Sequence, residues 1–382
     1  MGFFNRRNRD GVPDQRHANG NGTTNRSRHV HSTYSMSTRP SFGQWLKVTW
    51  LDILTFVIMG VIGLGIYEAP PAPTRSFAVT FTSDGEIVYP QFAYPLRKEI
   101  IPIWLAAFLA AIVPILAILV MQIRVRSFWD VNNGIIGLLY SLISAAVFQV
   151  FLKFLIGGLR PHFLAVCKPD ISLAKNGAGV VGSPYNAAGF NQIYYTREIC
   201  TGDTKLINDS LESFPSGHTT AAFAGFVYLY LYLNAKLKVF ANYHPAMWKM
   251  IVIYIPILGA VLIGGALTID EFHNWYDVLA GAIIGTIMAF SAYRMVYASI
   301  WDWRWNHVPL NRSQACLYTY DGVELMDAMW TRKAGWGVGS SSYNDKHGAN
   351  DHGMYSSGAA GPGIPRKAVG HGNGHHRADD MV

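Results

Sequence analysis

Ile101–Ile123 reads IPIWLAAFLAAIVPILAILVMQI, an apolar run without a charged residue. A soluble core helix keeps a polar face towards water, so an uncharged run of this length is read as a helix surrounded by lipid. Five further stretches are also long and apolar, at roughly 48–67, 134–156, 217–234, 250–267 and 277–298, with Asp52, Lys153, Asp277 and Arg294 the charged residues among them. Each is about 18 to 23 residues, the length a helix needs to cross a hydrocarbon core of ~30 Å. The expected fold is all-α: a polytopic membrane protein with six transmembrane helices.

Working outward from these spans, residues 1–47 and 333–382 are polar, rich in Gly, Ser, His and Asn, and lack apolar periodicity. Such segments bury too little apolar surface to fold, so both are expected to be disordered tails. The six-span domain then covers 48–300. Residues 301–332 follow as an interfacial aromatic and C-terminal segment, with Trp301, Trp303 and Trp305 suited to a headgroup belt. The polar start offers no cleavable signal peptide, leaving the first span as the insertion signal.

The net charge of +7 is unevenly placed. Eight basic residues precede the first span, Arg124 and Arg126 follow the second, and Lys236, Lys238 and Lys249 lie between the fourth and fifth. The alternate loops, 68–100, 157–216 and 268–276, are balanced or acidic. By the positive-inside bias both termini are cytoplasmic and those loops are luminal or extracellular. The basic tail is a feature of nucleic-acid binders too. Beside a first span it more simply sets topology and meets anionic lipid, so no specific nucleic-acid binding is expected. Cys167 and Cys200 share the large outer loop, where an oxidising lumen would pair them as a disulfide; two free thiols are the alternative. Asn208-Asp209-Ser210 is a glycosylation sequon in the same loop, close to the membrane.

Three polar pieces interrupt the apolar pattern. Lys153 and Arg160, seven residues apart at the end of the third span, can project from one helix face, and Arg160-Pro161 then turns the chain outward. Taken alone, Lys153 would be read as snorkelling to the interface. Ser213-Phe214-Pro215-Ser216-Gly217-His218 opens the fourth span. Its small-residue turn leaves backbone N–H groups at a helix N-terminus, a ready anion site. In the junction between the fifth and sixth spans, His273 and Asp277 stand at i, i+4, so the carboxylate can hold one imidazole nitrogen and leave the other free as a nucleophile. A lone pair of this kind is more often structural. Odd-even alternation of the spans, however, puts all three pieces on one membrane face.

At these residues the chain resembles the type 2 phosphatidate phosphatases, or lipid phosphate phosphatases. Their pattern is K-x6-R-P, then P-S-G-H, then S-R-x5-H-x3-D. The first is Lys153 to Arg160-Pro161, followed by His162-Phe163-Leu164; the second is Pro215-Ser216-Gly217-His218; His273 and Asp277 match the third. The resemblance covers roughly 45–300. It implies a membrane-embedded, Mg²⁺-independent phosphatase acting on phosphatidate-like phosphomonoesters or diacylglycerol pyrophosphate at the bilayer surface. Lys153, Arg160, the Ser216 hydroxyl and the backbone near Gly217 would hold phosphate. His273, aligned by Asp277, would be the nucleophile forming a phosphohistidine, and His218 the acid and base. No cofactor and no metal are expected; the tail histidines His371, His375 and His376 are read as composition. The Tyr89–Pro95 stretch is either a lid over the site or a plain connector.

The third motif departs from the family at its start. Ala266-Leu267 stands where Ser-Arg belongs. Loss of one charge-assisted phosphate contact costs ~2–4 kcal/mol, or ~10²–10³ in rate. Arg197, Lys168, Lys205 and His162 are the cations and imidazole near enough in sequence to compensate. The alternative reading is a weak or inactive lipid-phosphate-binding scaffold.

Overall fold

A computed structural model describes residues 39–69, 76–79, 90–170, 172–173, 194–312 and 316. Most of both expected tails, the tail histidines and Tyr89 lie outside the described residues. Six long helices form the bundle: α1 Phe42–Tyr67, α2 Ile103–Val125, α3 Phe128–Leu155, α6 Gly217–Leu237, α7 Met247–Ile269 and α8 Trp275–Val296. Two short helices, α4 Phe163–Cys167 and α5 Thr204–Ser210, lie in the α3–α6 connection. A two-stranded antiparallel ribbon, β1 Phe77–Ala78 with β2 Tyr194–Tyr195, pairs Phe77 with Tyr195.

Local chemistry sets where the helices begin. Ser41 and Gln44 form a capping box at α1, Ser127 accepts from Asp130 N–H at α3, and Ser216 accepts from Thr219 N–H at α6. Arg126, Lys168 and Lys238 end α2, α4 and α6 in the left-handed conformation.

Five of the helices, α1, α2, α3, α7 and α8, are long and apolar enough to cross a membrane, which makes the chain a multi-pass membrane protein. The fourth expected span, α6, is not among them. The reason is its position: α6 packs against α2, α3, α7 and α8 at the centre of the bundle, and nearly every residue from His218 to Leu237 is buried. A helix walled by protein can carry Asn234 and Lys236, which are costly in lipid, along with the polar Thr219, Thr220, Tyr228 and Tyr232. Glycines let the neighbours approach. A Cβ on Gly281 of α8 would stand 2.7 Å from the Ser216 carbonyl, and one on Gly225 of α6 would stand 2.1 Å from the Ala110 carbonyl.

At the bundle end that carries α4 and α5, a small cap core gathers Phe77, Phe163, Tyr195, Ile199, Ile207 and Leu211. The Cys167–Cys200 disulfide pins this cap across 33 residues. At the opposite end Lys236 is ion-paired with Asp130, both side chains fully buried. Tyr232 donates to Asp130 Oδ2 at 2.8 Å, and Lys238 bonds Asn306 and His307. That network clasps the 303–307 segment to the bundle.

Candidate active site

The cap end of the bundle gathers the three polar pieces. Lys153 lies in the last turn of α3. Beyond it the chain runs alongside 210–213: Gly158 N–H donates to the Leu211 carbonyl, Arg160 N–H to Ser210, and Ser213 N–H to Gly158. This short ladder fixes two carboxylates opposite the two cations. Lys153 Nζ lies 3.4 Å from Glu212 Oε2, and Arg160 Nη2 donates to Asp209 Oδ1 at 2.8 Å. Burial raises the Glu212 pKa against the pull of Lys153. The Arg160 guanidinium lies over the Phe272 ring, 5.4 Å from its centroid, and Arg160 Nε is buried without a hydrogen-bond partner.

The second piece is held from two sides. Gln149 donates to the Pro215 carbonyl at 3.1 Å, and Ser216 N–H donates to the Asp277 carbonyl at 3.1 Å. Ser216 Oγ accepts from Thr219 N–H and Oγ1–H, so its own proton stays available to a ligand. Gly217 and His218 begin α6, where first-turn N–H groups have no intrahelical acceptor. His218 is buried, hydrogen-bonded to the Ile101 backbone, and its Nε2 has no partner. The charges of Arg160 and Lys153 both bear on it.

His273 follows a tight turn in which Glu271 has φ 61, a left-handed value unusual for a side chain of that size. The His218 and His273 ring centroids are 6.3 Å apart. His273 Nδ1 lies 3.7 Å from Asp277 Oδ2, an ion-pair distance too long for a hydrogen bond. That same oxygen accepts from Ser213 Oγ at 2.5 Å and from Asn274 N–H at 2.9 Å. Burial pushes the His273 imidazole down to about 4, with Arg160 and Lys153 adding to the shift and Asp277 opposing it. Burial thus favours the neutral ring, whose Nδ1 is the nitrogen on the Asp277 side.

Leu267 is fully buried, and its carbonyl accepts His273 N–H at 3.1 Å. Of the residues proposed to compensate for it, His162 is the one built into the site. Its Nδ1 lies 3.1 Å from the Glu271 carbonyl and its ring meets Phe272 edge-on at 4.9 Å. Burial lowers its pKa, against that hydrogen bond. Arg197 instead bonds the Asn208 side chain at 3.0 Å, and Lys168 and Lys205 are exposed on the cap. The sequon fares similarly, since Asn208 is bonded to Arg197 and Ser210 is fully buried.

Residues 94–102, of which only Tyr94 and Pro95 belonged to the stretch read as a lid or a connector, form a strap joining all three pieces. Tyr94 N–H donates to the Pro161 carbonyl, Ile100 N–H to Asp270 Oδ2 at 3.1 Å, Arg97 to the Ile269 carbonyl at 3.3 Å, and Ile101 meets His218. Burial raises the Glu99 pKa here, against the nearby Arg160 charge. The one sequence signal was the crowding of Arg97, Lys98 and Glu99 at the mouth of an apolar run. No group of three His, Cys, Asp or Glu stands together as a metal-ligand set among the described residues.

The cap end of the bundle thus brings together two histidines, a carboxylate and two cations near the start of α6. The PAP2 superfamily pattern matches residues 134–301. A PA-phosphatase related-family protein of Dictyostelium discoideum is 37% identical over 233 residues, 60% of this chain and 65% of that one, just under two thirds of its length. Lipid phosphate phosphatase 2 of Arabidopsis thaliana is 30% identical over 66% of this chain and 78% of its own. Diacylglycerol pyrophosphate phosphatase 1 of Saccharomyces cerevisiae is 29% identical over 66% of this chain and 80% of its own. No solved structure matches. The chain belongs to the type 2 phosphatidate phosphatase family of phosphoric monoester hydrolases within the PAP2 superfamily.

Proposed function

We propose that the protein is a Mg²⁺-independent lipid phosphate phosphatase that hydrolyses phosphatidate-like phosphomonoesters or diacylglycerol pyrophosphate through a phosphohistidine. The observation that carries this reading is the convergence of His218 and His273, ring centroids 6.3 Å apart, under the charges of Lys153 and Arg160. Lys153, Arg160, the Ser216 hydroxyl and the N–H groups at Gly217 and His218 hold the phosphate oxygens, displacing Glu212 and Asp209 from the cations. His273 Nε2 forms a bond to phosphorus as the bond to the lipid oxygen breaks. The departing oxygen keeps the electron pair of the broken bond and takes a proton from His218, which carries one when the phosphate dianion is bound. Water then gives a proton to His218 and its oxygen to phosphorus, releasing inorganic phosphate and His273. Positioning and fixed positive charge dominate phosphoryl transfer, so these cations do the work that Mg²⁺ does elsewhere.

The site end faces the lumen or the cell exterior and both termini are cytoplasmic. Two features support this: the disulfide at the site end, and the placement of Arg124, Arg126, Lys236, Lys238 and Arg294 towards the other. The test of function is phosphate release from phosphatidate in EDTA by the purified chain. Release is expected, and its loss in His273→Ala; equal release by that variant defeats the nucleophile. The buried Leu267 favours one second reading, a lipid-phosphate-binding scaffold, which predicts retained binding with no release from any lipid phosphate.

A further inference from the structure

Leu267 is buried and its carbonyl is taken by His273, so position 267 directs no donor at phosphate. A cation does arrive there from another part of the chain. Arg97 Nη1 donates to the Ile269 carbonyl at 3.3 Å, and its Nε lies 3.5 Å from Glu271 Oε2, two residues before His273. Both contacts are long, Glu271 Oε2 has no hydrogen-bond partner, and the Arg97 side chain is 53% exposed. The backbone beneath it is fixed on either side, by Tyr94 on Pro161 and Ile100 on Asp270. The guanidinium is thus carried on an anchored strap and is loosely held itself.

Arg97 lines a cavity of about 290 Å³ together with His162, Asp209 and Phe272. Arg160 touches two of the same walls, donating to Asp209 and lying over Phe272. One swing of a long side chain separates Arg97 from the surroundings of Arg160. Lys98 lines the cavity too, but Arg97 is the residue tied to the turn after α7.

We propose that Arg97 is a phosphate ligand, supplying from the strap ahead of α2 the guanidinium that position 267 does not carry. The planar fork suits two phosphate oxygens, and release from Glu271 frees it to make both bonds. This inference rests on the phosphatase reading for its substrate and is tested apart from it.

The experiment uses the full chain in detergent, comparing wild type, Arg97→Ala, Arg97→Lys, Leu267→Arg and the double variant Arg97→Ala/Leu267→Arg. Two quantities are read, kcat/KM on phosphatidate and the Kd for orthovanadate, with the melting temperature alongside. Arg97→Ala is expected to lower kcat/KM by about 10²-fold and to weaken vanadate by a similar factor at unchanged melting temperature. Arg97→Lys recovers part of the loss. Leu267→Arg gains little in the wild-type background and restores at least about tenfold in the Arg97→Ala background, a coupling that a merely structural role would not produce. Unchanged kcat/KM and vanadate affinity in Arg97→Ala overturn the proposal, as does a loss that neither Arg97→Lys nor Leu267→Arg restores. If wild type releases no phosphate, the phosphatase reading falls and vanadate decides alone: weaker binding by Arg97→Ala supports Arg97, whereas equal binding, or none by wild type, overturns it.

Discussion

Ser213 donates its hydroxyl to Asp277 Oδ2 at 2.5 Å, closer than the Asn274 donors that share the same oxygen. The segment leading into α6 therefore grips the carboxylate on α8 that faces His273. Asp277→Asn keeps the shape but loses the charge that favours the reacting imidazole. Its kcat is expected to fall by about 10²-fold or more with KM little changed. Ser213→Ala removes one hydrogen bond to a charged group, worth about 1.5–3 kcal/mol, and should lower the melting temperature as well as kcat. Steady-state kinetics and thermal unfolding of the two variants check both expectations.

The low pKa of His273 predicts how stability varies with acid. Folded, this histidine titrates at about 4; unfolded, it returns to the ordinary value near 6.5. Between those values the unfolded chain binds the extra proton, so acidification through this window favours unfolding. The contribution is present above pH 6.5 and is lost as pH falls to about 4, on the order of 3 kcal/mol for a fully buried ring. His273→Asn should flatten the melting temperature against pH over that range. An unchanged slope rules this histidine out as its source.

On the proposed mechanism, Asp209, paired with Arg160, competes with phosphate for it. The carboxylate is half exposed, so its hold on the guanidinium is screened and modest. Asp209→Asn should lower KM for phosphatidate about twofold to fivefold, and should strengthen inhibition by inorganic phosphate to match. A rise in KM would instead make Asp209 a positioner of Arg160.

At the far end of the bundle, single replacement of Lys236 or Asp130 leaves an unpaired buried charge. Lys236→Met or Asp130→Leu should each cost about 3–5 kcal/mol, and the pair together much less than the sum. Unfolding measurements on the three variants give the coupling directly.

Much of this molecule was written locally and could be read there. Apolar runs marked the spans, whereas the helical spacing expected of Lys153 with Arg160 and of His273 with Asp277 did not hold: α3 ends at Leu155 and α8 begins at Trp275, so Arg160 and His273 stand in the turns outside those helices. The remainder depends on elements far apart in sequence. Asp209 meets Arg160 and Glu212 meets Lys153 because the 158–160 ladder runs beside 210–213, and no periodicity announces that pairing. The start of the strap was legible as either a lid or a connector, and the sequence did not decide between them, because its ties are made largely by backbone groups that every sequence possesses. The family resemblance implied a phosphate-binding hydroxyl at Ser216; in the structure that hydroxyl caps α6, a use the motif alone does not announce.

The central position of α6 has a consequence for how the protein is made. A helix with Asn234 and Lys236 in its last turns and tyrosines along its length is a poor candidate to enter a bilayer alone. Its partner charge, Asp130, and the wall of α2 and α3 are synthesised earlier in the chain. They can receive α6 as it emerges, while α7 and α8 close the bundle afterwards. The expected route is an ordered assembly in which α6 is the guest of its predecessors, so lesions in α2 or α3 should first appear as failed insertion of α6.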